Sequence, residues 1–331
     1  LMHTSTSPQY SIIASCDVAA AMMEPPGGTA LVEESIAEAI DFRRAMRKVD
    51  DEYGDDWWFK VWGPEKLVDE GIGRADTWIL RSDAKAKRGS KWHGFGEIAD
   101  GFNMLDPIKS TIVTPGLDLN GKFAKTGIPA SIVTKFLAEH GVVVEKTGLY
   151  SFFIMFTIGI TKGRWNSMLT ALQQFKDDYA KNQPMWRVLP EFCQKHPKYE
   201  KMGLADLCQH VHQLYAKYDI ARLTTEMYLS DLTPAMKPSD AYAHIAQRKT
   251  ERVEIDQLEG RITVGLVTPY PPGIPLLIPG EVFNKKIVDY LKFSREFNAQ
   301  CPGFETDIHG LVEERGEDGV RRYYADCVRE S

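Results

Sequence analysis

The sequence predicts a mixed fold, with α/β and α+β parts in two domains, and three observations carry that reading. The 331 residues, 43% hydrophobic and 26% charged, have globular composition and enough length for a sizeable core. Between residues 57 and 179 the apolar spacing gives the order strand, strand, helix, strand, strand, helix, as in a small α+β domain. Beyond Pro184 the composition turns helical.

Taken in order, the run Ala14-Ser15-Cys16-Asp17-Val18-Ala19-Ala20-Ala21-Met22-Met23 is rich in helix formers and poor in charge. It predicts a buried helix, stopped by Pro25-Pro26-Gly27-Gly28. Over residues 33–50, Ile36, Ile40, Phe42, Ala45, Met46 and Val49 recur mostly at three- and four-residue steps among charges. That pattern predicts an amphipathic helix linking a preceding domain to the next. The aromatic, partly alternating Trp57-Trp58-Phe59-Lys60-Val61-Trp62 reads as a strand, and Thr111-Ile112-Val113-Thr114 before Pro115-Gly116 as another. The basic segment over 81–91 reads as a solvated loop. Pro129 suits the first position of a helix running to about residue 140. Val142-Val143-Val144 and residues 152–158 follow as strands, and a helix runs over about 162–179.

Past Pro184 the pattern predicts helices over 204–218, 224–229 and 239–248, and a strand over 262–268. Tyr270-Pro271-Pro272-Gly273-Ile274-Pro275 continues to Pro279-Gly280-Glu281, and its prolines lack the amide donors of a regular central strand. A helix over about 285–298 follows, then short strands or loops over 301–328. The sequence holds no internal repeat and no low-complexity tract.

Charge and cysteine usage narrow the function. A net charge of -6 gives no general attraction to phosphate backbones or anionic lipid, so no nucleic-acid or membrane role is expected, whereas a cationic substrate is compatible. The longest apolar stretch, residues 152–160, is too short to span a bilayer. Five cysteines with no C-x-x-C pair argue against a disulfide framework or zinc knuckle and fit a reducing cytoplasm. The chain opens on Leu1-Met2-His3-Thr4 within what reads as structured sequence, so a fragment of a longer protein is expected.

Generic catalytic signatures are absent: there is no P-loop, G-x-S-x-G elbow, H-E-x-x-H or complete G-x-G-x-x-G. His210 and His212 stand two apart in a predicted helix and so point to different faces, which favours core or solvent-facing histidines over a metal site. Thr4-Ser5-Thr6-Ser7 offers hydroxyls directly before a predicted helix at Pro8. They could hold a phosphate at the helix N-terminus or simply cap it; the residues leave both readings open. Glu145 follows Val142-Val143-Val144 where a strand opens into a turn, a place from which a carboxylate can meet an ammonium or guanidinium. A structural ion pair or turn cap is the alternative.

Several strings together resemble the prokaryotic ornithine/lysine/arginine decarboxylases. These are His3-Thr4-Ser5-Thr6-Ser7-Pro8, Leu105-Asp106-Pro107-Ile108-Lys109, Gly127-Ile128-Pro129-Ala130, Val144-Glu145-Lys146-Thr147-Gly148, Tyr270-Pro271-Pro272-Gly273-Ile274-Pro275 and Pro302-Gly303-Phe304-Glu305-Thr306-Asp307-Ile308-His309-Gly310, in family order across nearly the whole chain. Trp57 to Trp62, Ile160-Thr161-Lys162-Gly163-Arg164-Trp165 and Leu105 to Lys109 resemble the arginine branch, the biodegradative type. Glu145 to Gly148 and Thr306 to Gly310 look more like the lysine and ornithine branches. Arginine decarboxylase, converting arginine to agmatine and CO2, is therefore the expected activity by a narrow margin. Lysine decarboxylase and a non-catalytic assembly or binding module are the alternatives.

The resemblance implies a fold type I enzyme dependent on pyridoxal 5'-phosphate, here as the C-terminal part only. It implies residues 1–27 as the tail of the cofactor-binding major domain, 28–184 as an aminotransferase-like small domain and 185–331 as an α+β C-terminal domain. The family's Schiff-base lysine follows a histidine in a Ser-x-His-Lys type motif upstream of the segment matching Leu1, so no catalytic residue is assigned and this chain alone is expected to be inactive. The resemblance further implies that Ser5, Thr6 and Ser7 reach the cofactor phosphate and that Glu145 recognises the cationic end of a small basic amino acid. The complete protein is expected to be a homodimer that assembles to a higher oligomer, with no metal.

Overall fold

Most of the expected helices are present in a computed structural model, which describes residues 7–64, 78–80, 93, 95, 98–99, 101–118, 120–270, 273–316 and 319–330. The expected basic loop over 81–91 lies outside the described residues. The elements of the first half are α1 (Tyr10–Met22), α2 (Gly27–Tyr53), β1 (Lys60–Val61), β2 (Lys109–Val113), α3 (Ala130–Glu139), β3 (Lys146–Thr147), β4 (Ser151–Met155) and α4 (Lys162–Ala180). Then come α5 (Met185–Val188), α6 (Pro190–Lys195), α7 (Leu204–Lys217), α8 (Ile220–Leu229), α9 (Pro238–Ala246), β5 (Thr250–Glu254), β6 (Thr268–Tyr270), α10 (Lys285–Gln300), β7 (Asp307–His309), β8 (Leu311–Arg315) and β9 (Arg321–Val328). The chain divides into two compact units, Leu1–Val113 with Phe153–Leu172, and Thr114–Phe152 with Gln173–Ser331.

In the first unit α2 buries Ser35, Ala39, Ile40, Phe42, Arg43 and Met46 along one face. Phe42 meets the rings of Phe156 at 5.4 Å and Trp165 at 6.0 Å, and the Trp165 indole donates to Glu38 Oε2 at 2.6 Å. Gly27 and Gly28 open α2, so the helix stop predicted over Pro25-Pro26-Gly27-Gly28 falls between Met22 and Gly27. β1 pairs antiparallel with β2, Lys60 opposite Val113. Only Lys60–Val61 of the predicted strand is regular, and Trp57 and Phe59 before it are buried side chains of the core, with Trp57 N–H turned back to Gly54 O at 3.0 Å. Arg43 is almost wholly buried and donates to the carbonyls of Trp62 at 2.9 Å, Lys109 at 3.0 Å and Pro107 at 3.4 Å. One guanidinium thereby holds the turn after β1 and the start of β2 on α2. Helix α1 departs from expectation: none of its residues is buried, although it is apolar on all sides.

In the second unit α3 starts after Pro129 and buries Ala130, Ile132, Val133, Phe136 and Leu137. The predicted strand Val142-Val143-Val144 does not form; Val143 is 86% exposed, and the short strand is Lys146–Thr147. Gly141, at a positive φ of 77°, turns the chain out of the helix, and the three valines then run without a strand partner among the described residues. β3 returns through Gly148 into the start of β4, with Gly148 N–H donating to Ser151 O at 2.6 Å. α7 packs on α10 through stacked Tyr215 and Phe297, 5.4 Å apart. β5, β9 and β8 form an antiparallel sheet in that order. β5 lacks an apolar pattern, and its strand character comes from cross-strand pairs such as Arg252 with Asp326 and Glu314. The strand expected over 262–268 is mostly isolated bridges at Ile262, Thr263 and Val267, with regular pairing only from Thr268. Among the described residues no helix is long and apolar enough to cross a membrane.

Candidate functional site

Two of the strings singled out by sequence meet in the second unit. Lys146-Thr147-Gly148 and Gly303-Phe304-Glu305-Thr306 line one open-sided cavity of about 370 Å³, closed by α3, α7, α8 and α10. Thr147 donates to Thr134 Oγ1 at 3.2 Å, which ties β3 to α3. The other loop is held where α10 ends: Cys301 N–H reaches Phe297 O at 2.7 Å, and Asn298 exchanges two hydrogen bonds with the backbone of Thr306. Gly303 is required there by contact, since at φ 89° a Cβ would lie 2.4 Å from the Phe192 ring.

A second meeting joins the strings around Tyr270 and His309. β6 and β7 pair antiparallel with Tyr270 opposite Asp307; the Tyr270 and His309 rings lie 4.7 Å apart, and His309 Nε2 is 3.0 Å from Asp307 Oδ2. All three residues are exposed.

Ser5 and Thr6 lie outside the described residues. Ser7 is exposed, ahead of α1, whose N-cap residue Gln9 gives no side-chain cap and whose first turn carries no acidic residue. A helix end with no acidic residue in its first turn is compatible with an anion. Glu145 is exposed just before β3 and, among the described residues, makes no hydrogen bond or ion pair. It adjoins the cavity in sequence but is not part of the lining. His212 is a core residue: its Nδ1 accepts from Tyr150 Oη at 2.6 Å and its Nε2 donates to Ala124 O at 2.9 Å. Lys135, in the cavity lining, escapes a motif search. Its signal is a charged residue within the apolar run Ile132-Val133-Thr134-Lys135-Phe136-Leu137.

Two family models match the chain: the Orn/Lys/Arg decarboxylase major domain over residues 1–164 and the Orn/Lys/Arg decarboxylase C-terminal domain over residues 221–329. The chain belongs to the Orn/Lys/Arg decarboxylase family. Members of this family depend in general on pyridoxal phosphate. Lysine decarboxylase LdcA of Pseudomonas aeruginosa is 47% identical over all of this chain, and the biodegradative arginine decarboxylase of Escherichia coli is 35% identical over 99% of it. The chain spans 44% and 45% of those relatives' lengths. A solved structure of lysine decarboxylase A from Pseudomonas aeruginosa superposes with a TM-score of 0.90 at 46% identity, covering 99% of this chain and 44% of that one. This decarboxylase-family chain therefore has the mixed α/β fold of the pyridoxal-phosphate-dependent lysine decarboxylases. The arginine branch, favoured narrowly by short strings, is outweighed by the lysine branch over the whole length. Short strings shared among branches carry little information about branch, whereas identity along the chain samples every contact.

Proposed function

We propose that these 331 residues are the C-terminal part of a pyridoxal-phosphate-dependent lysine decarboxylase, which releases CO2 from lysine and leaves the diamine. The observation that carries this reading is the 47% identity to a lysine decarboxylase against 35% to an arginine decarboxylase, over essentially the same residues. Bound pyridoxal phosphate supplies an electron sink for the pair left on Cα as the carboxylate departs. In this reading Ser5, Thr6 and Ser7, which precede α1 in the sequence, hold the phosphate. Glu145 meets the distal ammonium of lysine: it is exposed and unpaired among the described residues, so its carboxylate is available. We assign residues 1–27 to the tail of the major domain, 28–184 to the small domain and 185–331 to the C-terminal domain. A cytoplasmic homodimer assembling further completes the proposal.

The test is an assay of the protein encoded by the complete reading frame, saturated with pyridoxal phosphate, against lysine, arginine and ornithine. The expected result is lysine turnover well above that of the other two. Arginine turnover exceeding lysine turnover overturns the substrate assignment, and turnover of none overturns the activity.

A further inference from the structure

Lys135 sits on α3 among buried neighbours, Ile132, Val133, Phe136 and Leu137. Its ammonium lies 5.4 Å from the centroid of the Phe192 ring and 5.3 Å from that of Phe304. Among the described residues it makes no hydrogen bond or ion pair. Burial holds its pKa below the ordinary lysine value; Glu305 and Glu139 oppose that shift and Lys195 adds to it. Both carboxylates are engaged elsewhere. Glu139 accepts the backbone N–H groups of Phe192 at 2.8 Å and Glu191 at 3.3 Å, and Glu305 accepts that of Gly303 at 2.7 Å. Lys135 is part-buried, and the two aromatic faces offset part of the cost of that burial without accepting any of its donors, which stay open to solvent or a ligand.

Those donors belong to a residue lining the 370 Å³ cavity, a volume within the range of small-molecule sites. Phe293, Phe297 and Tyr290 give it an apolar wall, and Ser131, Thr134 and Thr147 add hydroxyls. Two lysines, Lys135 and Lys146, and one glutamate, Glu305, are its charged residues, a single net positive charge. An excess of one cation in the lining favours an anionic group over the cationic side chain of a basic amino acid. A mixed wall with one unpaired, part-buried cation suits a monoanion with an apolar body.

We propose that this cavity binds a monocarboxylic acid with an aromatic or aliphatic body, its carboxylate on Lys135 and its body against Phe293 and Phe297. Isothermal titration of the complete protein and of this chain with naphthalene-2-carboxylate tests it, with the neutral carboxamide and 2-naphthylmethylamine as matched probes. The carboxylate binds saturably, the amide about tenfold more weakly or worse, and the amine not at all. Lys135→Met weakens the carboxylate by about tenfold and leaves the amide unchanged, while Lys135→Arg retains most of the affinity. Should Lys135→Met fail to fold, Lys146→Gln, at an exposed position, weakens the carboxylate several-fold. Equal binding of acid and amide, unaltered affinity in the variants, or binding by this chain but not by the complete protein each overturns the proposal. The titration contains neither substrate nor cofactor, so its outcome leaves the decarboxylase reading untouched.

Discussion

Tyr150 donates its hydroxyl to Nδ1 of His212 at 2.6 Å, while the other ring nitrogen, Nε2, donates to Ala124 O at 2.9 Å. Both residues are buried, so water cannot replace either partner. Tyr150→Phe leaves Nδ1 without a donor and is expected to destabilise the second unit by about 1–3 kcal/mol. Urea unfolding followed by circular dichroism measures it; an unchanged midpoint sinks the account. Gly127→Ala is expected to do the same by a different route, since a Cβ there would lie 2.3 Å from the same nitrogen.

Arg43→Met removes three carbonyl acceptors' shared donor from the first unit. The carbonyls of Trp62, Pro107 and Lys109 then lose this buried partner, for a loss of about 3 kcal/mol or more. Arg43→Lys is expected to recover little, because a compact ammonium cannot span three acceptors as a planar guanidinium does. Thermal unfolding of both variants distinguishes geometry from charge: equal stability of Arg43→Lys and the parent would show that charge alone suffices.

Alkaline pH is expected to unfold the second unit progressively. Burial raises the thiol of Cys301 from 9.0 to about 11 and that of Cys327 to about 12, and raises the phenol of Tyr215 from 10.0 to about 12; Tyr150, Tyr199 and Tyr290 move up as well, also through burial. The neutral forms are therefore favoured in the fold. Below pH 9 folded and unfolded chains carry the same protons on these groups, and their contribution is fully present. As pH rises from 9.0 towards 12 the unfolded chain loses protons that the folded chain retains, so stability falls. Denaturant midpoints measured from pH 8 to 11 check the sign, and a rise in stability over that window contradicts it.

Helix α1 exposes Ile12, Ile13 and Val18 by 58%, 52% and 57%. An apolar helix with no buried face promotes association, so the isolated chain is expected to self-associate as concentration rises. Replacing Ile12 and Val18 together by lysine should return it towards the monomer. Sedimentation velocity reads the difference, and identical distributions for parent and variant rule α1 out as the cause.

In the complete protein, Glu145→Gln keeps the shape and removes the charge proposed to meet the substrate ammonium. The expected loss in kcat/KM for lysine is about tenfold or more, carried mainly by KM. Steady-state rates across lysine concentrations measure it. A loss confined to kcat assigns Glu145 a role other than binding.

How much was legible in the sequence depends on the range of the interaction involved. The helices α2, α3, α4, α7 and α10 follow from apolar residues at three- and four-residue steps, because that spacing lets a local segment bury one face. The family follows from ordered strings such as Val144 to Gly148 and Pro302 to Gly310. Strand pairing is less local. Val142-Val143-Val144 has high strand propensity but no strand partner among the described residues, whereas charged β5 finds β9 far along the chain, Thr250 opposite Val328. The meeting of Lys146 to Gly148 with Gly303 to Thr306, the burial of Arg43 and the pairing of Tyr150 with His212 were decided only by tertiary structure. Periodicity determines which face of a segment turns inward. Which distant segment it meets there depends on packing and on satisfying each buried polar group, and those are properties of the whole fold.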